Sequence, residues 1–84
     1  MRLQPTERLA REYERLPEHL QRRVDKVLGL LLENPRHPSL QIKRIKGHAD
    51  RWEGRVSLHY RFIFSIEGET YLLLRVATHD LIQK

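Results

Sequence analysis

The sequence predicts an α+β fold in which an N-terminal helical hairpin packs on a C-terminal antiparallel β-sheet, in the order (β)ααβββ(β). Three observations carry this expectation. Up to Leu32, apolar residues recur every three or four positions, the spacing of one helix face. After the turn Asn34-Pro35-Arg36-His37-Pro38 they recur every second position, the spacing of a half-buried strand. The chain has 84 residues, enough for one hydrophobic core, so residues 1–84 are expected to form a single domain.

Met1 to Leu3 suits a short edge strand. Thr6 is a candidate N-cap for a first helix with Leu9, Tyr13 and Leu16 on one stripe, and Glu7 and Arg11 are spaced to pair across a turn. Pro17 fits the first turn of a second helix, whose stripe runs through Leu20, Val24, Val27, Leu28, Leu31 and Leu32 and ends at Asn34 before Pro35. The break at Leu16-Pro17 is short, so the two helices should be antiparallel. Leu40 and Ile42 begin a strand that ends before Gly47. Trp52, Gly54, Val56 and Leu58 alternate with polar residues, as do Tyr60, Phe62, Phe64 and Ile66, and then Leu72, Leu74 and Val76. Even-numbered positions therefore face the core.

Opposed residues in an antiparallel pair share a face, and a one-residue slip inverts every side chain, so strands of equal parity ask for turns of odd length. Three-residue turns at Ser57-Leu58-His59 and Glu67-Gly68-Glu69 would set Val56 opposite Tyr60 and Ile66 opposite Thr70. Counting outward places Arg55 opposite Arg61 and Arg61 opposite Arg75. These guanidinium groups would form one row on the face that the helices leave uncovered.

Sixteen Lys and Arg against eleven Asp and Glu give a formal charge of +5, which suits a polyanionic partner. The chain has no cysteine, which excludes disulfides and thiolate metal sites. No His-x3-His or histidine–carboxylate spacing points to a metal, and neither a Gly-rich phosphate loop nor a serine nucleophile elbow occurs. No cofactor is expected. The charged N-terminus and the lack of a long apolar run imply a soluble, cytoplasmic protein with no membrane partner.

A row of arginines is unfavourable by itself and is rewarded by a phosphodiester, to which each guanidinium donates paired hydrogen bonds. The equal alternative is neutralisation by Glu53 or other acids. His79, on the same parity as Arg75, suits proton transfer to a leaving 5′-oxygen, although a terminal histidine is more often solvated or a cap. Asp80 would orient its ring or cap the chain end. His19, His37, His48 and His59 are weaker candidates. Lys43, Arg44 and Lys46 extend the positive surface, either as a grip on a nucleic-acid backbone or as protection of an edge strand. Trp52 has core parity, which favours packing over base stacking.

The strings HPSLQIKRIKG (37–47), RWEGRVSLHYRFIF (51–64) and LLLRVATHD (72–80), in the order given, resemble the RelE/ParE toxin superfamily over nearly the whole chain. The motif Arg55-Val56-x-x-x-Tyr60-Arg61-Phe62-Ile63-Phe64, with a last strand ending in Thr78-His79-Asp80, is similar to the messenger-RNA-cleaving RelE-like branch. This resemblance implies the toxin of a type II toxin–antitoxin system, an endoribonuclease acting on mRNA on the ribosome without metal, by 2′-hydroxyl attack. It also implies a cognate antitoxin in a hetero-oligomer, with an acidic amphipathic segment on the basic face or in the groove of the hairpin. Arg61 matches the phosphate-stabilising arginine, Arg55 its neighbour, and His79 the general acid. Arg75 enters through the register, and Lys43, Arg44 and Lys46 would guide RNA. Some histidine-bearing members carry a glutamate base before Gly47, where this chain has Gln41, Lys43 and Lys46; Glu53 is the substitute candidate. The alternative is a ParE-like member that inhibits a protein such as DNA gyrase, or one that only binds its antitoxin.

Overall fold

Both helices of the N-terminal hairpin begin where the sequence supplies a start signal. In the computed structural model, which describes residues 1–83, the Thr6 hydroxyl accepts from the Leu9 N–H at 3.2 Å and opens α1 (Glu7–Glu14). The same hydroxyl donates to the Leu73 carbonyl at 2.9 Å, so the cap also fastens α1 to the sheet. Pro17 precedes α2 (Glu18–Glu33), which ends at Asn34, the residue before a proline. Two bonds close the hairpin: the Tyr13 hydroxyl donates to Asp25 at 2.8 Å, and the Gln21 amide donates to the Tyr13 carbonyl at 2.9 Å.

Among the described residues the sheet has five strands, in the order β1-β5-β4-β3-β2. They are β1 (Arg2–Pro5), β2 (Lys43–Arg44), β3 (Trp52–Arg55), β4 (Tyr60–Glu67) and β5 (Thr70–Thr78). β1 runs parallel to β5 and the other pairs are antiparallel. Leu9, Val24, Val27 and Leu31 of the helices are buried with Phe62, Phe64, Tyr71, Leu73 and Val76 of the sheet. Burial of one such side chain contributes about 1.5–3 kcal/mol. Phe64 meets Tyr71 edge-on, with ring centroids 5.5 Å apart. Among the described residues no helix is long and apolar enough to cross a membrane.

Four features differ from the sequence expectation. Leu40 belongs to a 3₁₀ turn (Pro38–Leu40) and Gln41 adopts φ 45°, so the strand begins at Lys43 and not near Leu40. The β4–β5 turn contains two residues, because Glu67 pairs with Thr70; Gly68 has φ 61°, the positive value that the first position of a II′ hairpin turn requires. Leu74 is then bulged out, since Phe64 pairs with Leu73 and Ile63 with Arg75. Tyr71 and Leu73 therefore face the core on odd parity, whereas Ile66 is exposed. Finally, α3 (His79–Gln83) folds back against β4 and β5. The second face is thus not simply open, and Glu53, Ile63, Ser65 and Ala77 are buried.

Candidate functional site

The two-residue turn and the bulge each move the β4–β5 register by one, and together they relocate the arginines. Arg55 lies opposite Arg61, as expected, but Arg61 lies opposite Ala77 and Arg75 opposite Ile63. The row of three guanidinium groups does not form. Arg75 instead turns to α1, where its Nε and Nη2 donate to Glu12 Oε2 at 3.2 and 2.8 Å. The other oxygen of Glu12 accepts from the Val76 N–H at 3.1 Å. One carboxylate therefore bridges both residues that follow the bulge.

The same shift makes His59 and His79 cross-strand neighbours. Tyr60 pairs with Thr78, and the next rung is closed by the His79 N–H donating to the His59 carbonyl at 2.7 Å. His59 and His79 line one cleft of about 330 Å³ with Leu58, Thr78 and Asp80. His79 is half-buried and His59 exposed. Arg61 holds the turn beside them: its Nη1 donates to the carbonyls of Ser57 at 2.7 Å, Tyr60 at 3.0 Å and Leu58 at 3.3 Å. Its Nε and Nη2 have no acceptor among the described residues, so half of the guanidinium fork remains for an anion. In the sequence His59 reads only as a turn residue. A two-residue turn at Gly68-Glu69 with one bulge in β5 is the pattern that pairs it with His79.

Glu53 lies apart from the His59–His79 cleft. It is 2% exposed, lies opposite Lys43, and has the Lys43 Nζ 3.4 Å from its Oε1. It pairs with Ile63, which pairs with Arg75, so it stands two same-face rungs from the His59–His79 rung. At about 3.3 Å per residue that is about 13 Å along the strands. Arg44 stacks on Trp52, with its guanidinium carbon 4.7 Å from the ring centroid, and that ring is half-buried. Lys46 is exposed and has no carboxylate within 4.0 Å among the described residues. Lys43, Arg44 and Lys46 together line a cleft beside Glu53 and Ile82 of α3.

On the opposite side, Leu3, Leu9, Tyr13, Val24 and Leu28 line an apolar groove of about 340 Å³ between β1 and the hairpin. Among the described residues no group of three or more His, Cys, Asp or Glu side chains is gathered to hold a metal ion.

No family model and no curated protein matches this chain in sequence. Solved structures do match. The YoeB/ParE toxin from Agrobacterium tumefaciens superposes with a TM-score of 0.81 at 19% identity, covering 94% of this chain and 99% of that one. YafQ from E. coli gives 0.81 at 9% identity, covering 98% and 97%. The RelB-RelE antitoxin-toxin complex from Methanococcus jannaschii gives 0.77 at 20% identity, covering 94% and 93%. Two helices on a mostly antiparallel sheet, shared over almost the full length of these chains, give this protein the fold of the RelE/ParE toxins.

Proposed function

We propose that the protein is the toxin of a type II toxin–antitoxin system and cleaves messenger RNA on the ribosome without a metal, by 2′-hydroxyl attack on the adjacent phosphate. The observation that carries this reading is the cleft lined by His59 and His79, next to the turn whose carbonyls the half-occupied guanidinium of Arg61 holds. This corner takes the place of the expected arginine row. Metal-free cleavage needs a base for the 2′-hydroxyl, an acid for the leaving 5′-oxygen and a donor for the charged phosphorane. His79 serves as the acid, in keeping with the resemblance, and His59 as the base in place of the distant Glu53. The free Nε and Nη2 of Arg61 donate to the phosphate. Arg55 follows from the adjacent strand, Lys46 draws RNA toward the site, and Arg75 takes no part in binding phosphate.

The partner is a cognate antitoxin. Two of the similar structures, the RelB-RelE complex and the E. coli DinJ-YafQ complex, are toxin–antitoxin assemblies, which supports that assignment. The decisive experiment is induced expression followed by 5′-end mapping of cellular transcripts. New 5′ ends within translated codons, absent in His79→Gln, support the reading. Growth arrest with intact transcripts and blocked DNA supercoiling would replace it with inhibition of gyrase, and normal growth would leave an antitoxin-binding protein without activity.

A further inference from the structure

We propose that Arg23, Lys26 and Arg55 form a second anion site, separate from the histidine corner, which takes a neighbouring backbone phosphate of the same RNA strand; this rests on the ribonuclease reading above. The three side chains line a cleft between α2 and the end of β3, closed by Ser39 of the 3₁₀ turn and floored by Val27 and Val56. The cleft gathers three basic side chains and, among the described residues, no acidic one. Arg8, Arg11, Arg22, Lys43 and Arg75 each have a carboxylate within 4.0 Å. Among the described residues Arg23, Lys26 and Arg55 have none, even though Arg22, next to Arg23, is held by Glu18 at 2.6 Å. Three cations brought together without an acid raise one another's energy, and a bound anion relieves that repulsion.

The cleft is also organised in advance. Arg23 Nε donates to the Val56 carbonyl at 2.9 Å, which fixes the guanidinium and leaves Nη1 and Nη2 without an acceptor among the described residues. Arg55 has a 3.5 Å contact from its Nη1 to Gln41 Oε1, at the limit of a hydrogen bond and readily exchanged for a stronger acceptor. The space is about 120 Å³; at about 30 Å³ per water molecule it holds a few water-sized groups, a phosphate but not a nucleoside. Planar guanidinium groups favour phosphate geometry. The position is continuous with the first site, because Arg55 is the cross-strand neighbour of Arg61. A strand held by its reacting phosphate at Arg61 meets the second site at the next strand of the sheet.

The test uses a fluorescent single-stranded 2′-deoxy oligonucleotide of about twelve nucleotides, which cannot be cleaved and lies within the usual range of single-strand site sizes. Its binding is measured by anisotropy over a series of salt concentrations for the wild type, Lys26→Gln and Arg23→Gln/Lys26→Gln. Since Arg23 also holds the Val56 carbonyl, the single variant Lys26→Gln, on an exposed helix position, is the control for folding, checked by thermal melting. The proposal expects weaker binding in both variants, with the log–log salt slope shallower by about 0.7 for each phosphate that the variant no longer neutralises. Wild-type affinity and slope in both variants, with transcripts still cut by the wild type, would overturn the second site and leave the ribonuclease reading intact. No binding by the wild type together with intact transcripts would remove that reading, and this inference with it. Tighter binding of a hexaglutamate peptide than of the oligonucleotide, abolished in the double variant, would overturn the proposal in favour of an acidic protein segment.

Discussion

His79 donates its backbone N–H to the carbonyl of His59 at 2.7 Å, so the end of β5 and the start of β4 present two imidazoles at one corner. If they divide the work of acid and base, replacing either one should cost more than a binding interaction would. His79→Gln and His59→Gln are each expected to slow cleavage by about 10²–10⁴-fold, the range for loss of general acid–base catalysis. Single-turnover cleavage by each variant measures the loss; a variant within about tenfold of the wild type would show that its imidazole has another role.

Arg61 is tied to its own turn as well as proposed to bind the phosphate, and the two roles can be separated. Its Nη1 holds the carbonyls of Ser57, Leu58 and Tyr60. Arg61→Ala should lower stability by about 1–3 kcal/mol, because it leaves the part-buried Ser57 carbonyl without its donor. Arg61→Lys keeps one donor for the turn but has no planar fork, so it should recover much of the stability and little of the cleavage. Denaturant unfolding and single-turnover cleavage on the same two variants provide the comparison.

The helical half was legible because its signals are local. Thr6, Pro17 and Asn34-Pro35 mark the helix ends by their own chemistry, and the Glu7–Arg11 pair needs only helical spacing. The Arg55–Arg61 pairing also followed from its turn and the parity of Val56 and Tyr60. The next hairpin was not legible in the same way. A two-residue turn plus a bulge gives the same parity at its far end as a three-residue turn with no bulge, since Phe62 meets an even-numbered residue in both cases. Hydrophobic alternation cannot distinguish Val76 from Leu74 as that partner. The bulge is held by Glu12, more than sixty residues away in the sequence, so the position of Arg75 depended on an interaction that no local pattern carries.

That interaction is itself open to test. Glu12 accepts from Arg75 through one oxygen and from the Val76 N–H through the other. Glu12→Ala removes both and leaves a backbone N–H at the bulge without its acceptor; a loss of about 2–3 kcal/mol is expected. Arg75→Ala leaves the Val76 bond in place and should cost about half as much, with little effect on cleavage. Urea unfolding of the two variants and their double mutant measures the coupling. A collapse of cleavage in well-folded Arg75→Ala would return Arg75 to the reaction.

Asp25 shifts the ionisation of Tyr13. Its hydrogen bond, with desolvation and the charge of Asp25, raises the phenol above its ordinary pKa of 10.0. A raised folded-state pKa means that the neutral phenol is favoured on folding. The associated stability is present below the unfolded value and is lost as pH rises through the folded one. Alkaline titration followed by ultraviolet absorbance should therefore show a late component that is absent in Tyr13→Phe and moves to lower pH in Asp25→Asn.

Gly54 gives the sharpest packing prediction. It is buried in β3 opposite Phe62, and a methyl group placed there would overlap the Phe62 ring and press on Ile42. Phe62 has no exposed surface and stacks on Phe64 with centroids 5.6 Å apart, so its ring has nowhere to retreat without moving the core. Overpacking of this kind costs about 1–3 kcal/mol. Gly54→Ala should melt at a lower temperature, whereas Gly29→Ala, at a helix position with open space around it, should be neutral or stabilising. Because β3 also carries Arg55 to its place opposite Arg61, cleavage in Gly54→Ala should fall further than the folded fraction alone explains. Equal melting temperatures for Gly54→Ala and the wild type would mean that the β3–β4 packing is looser than this register allows.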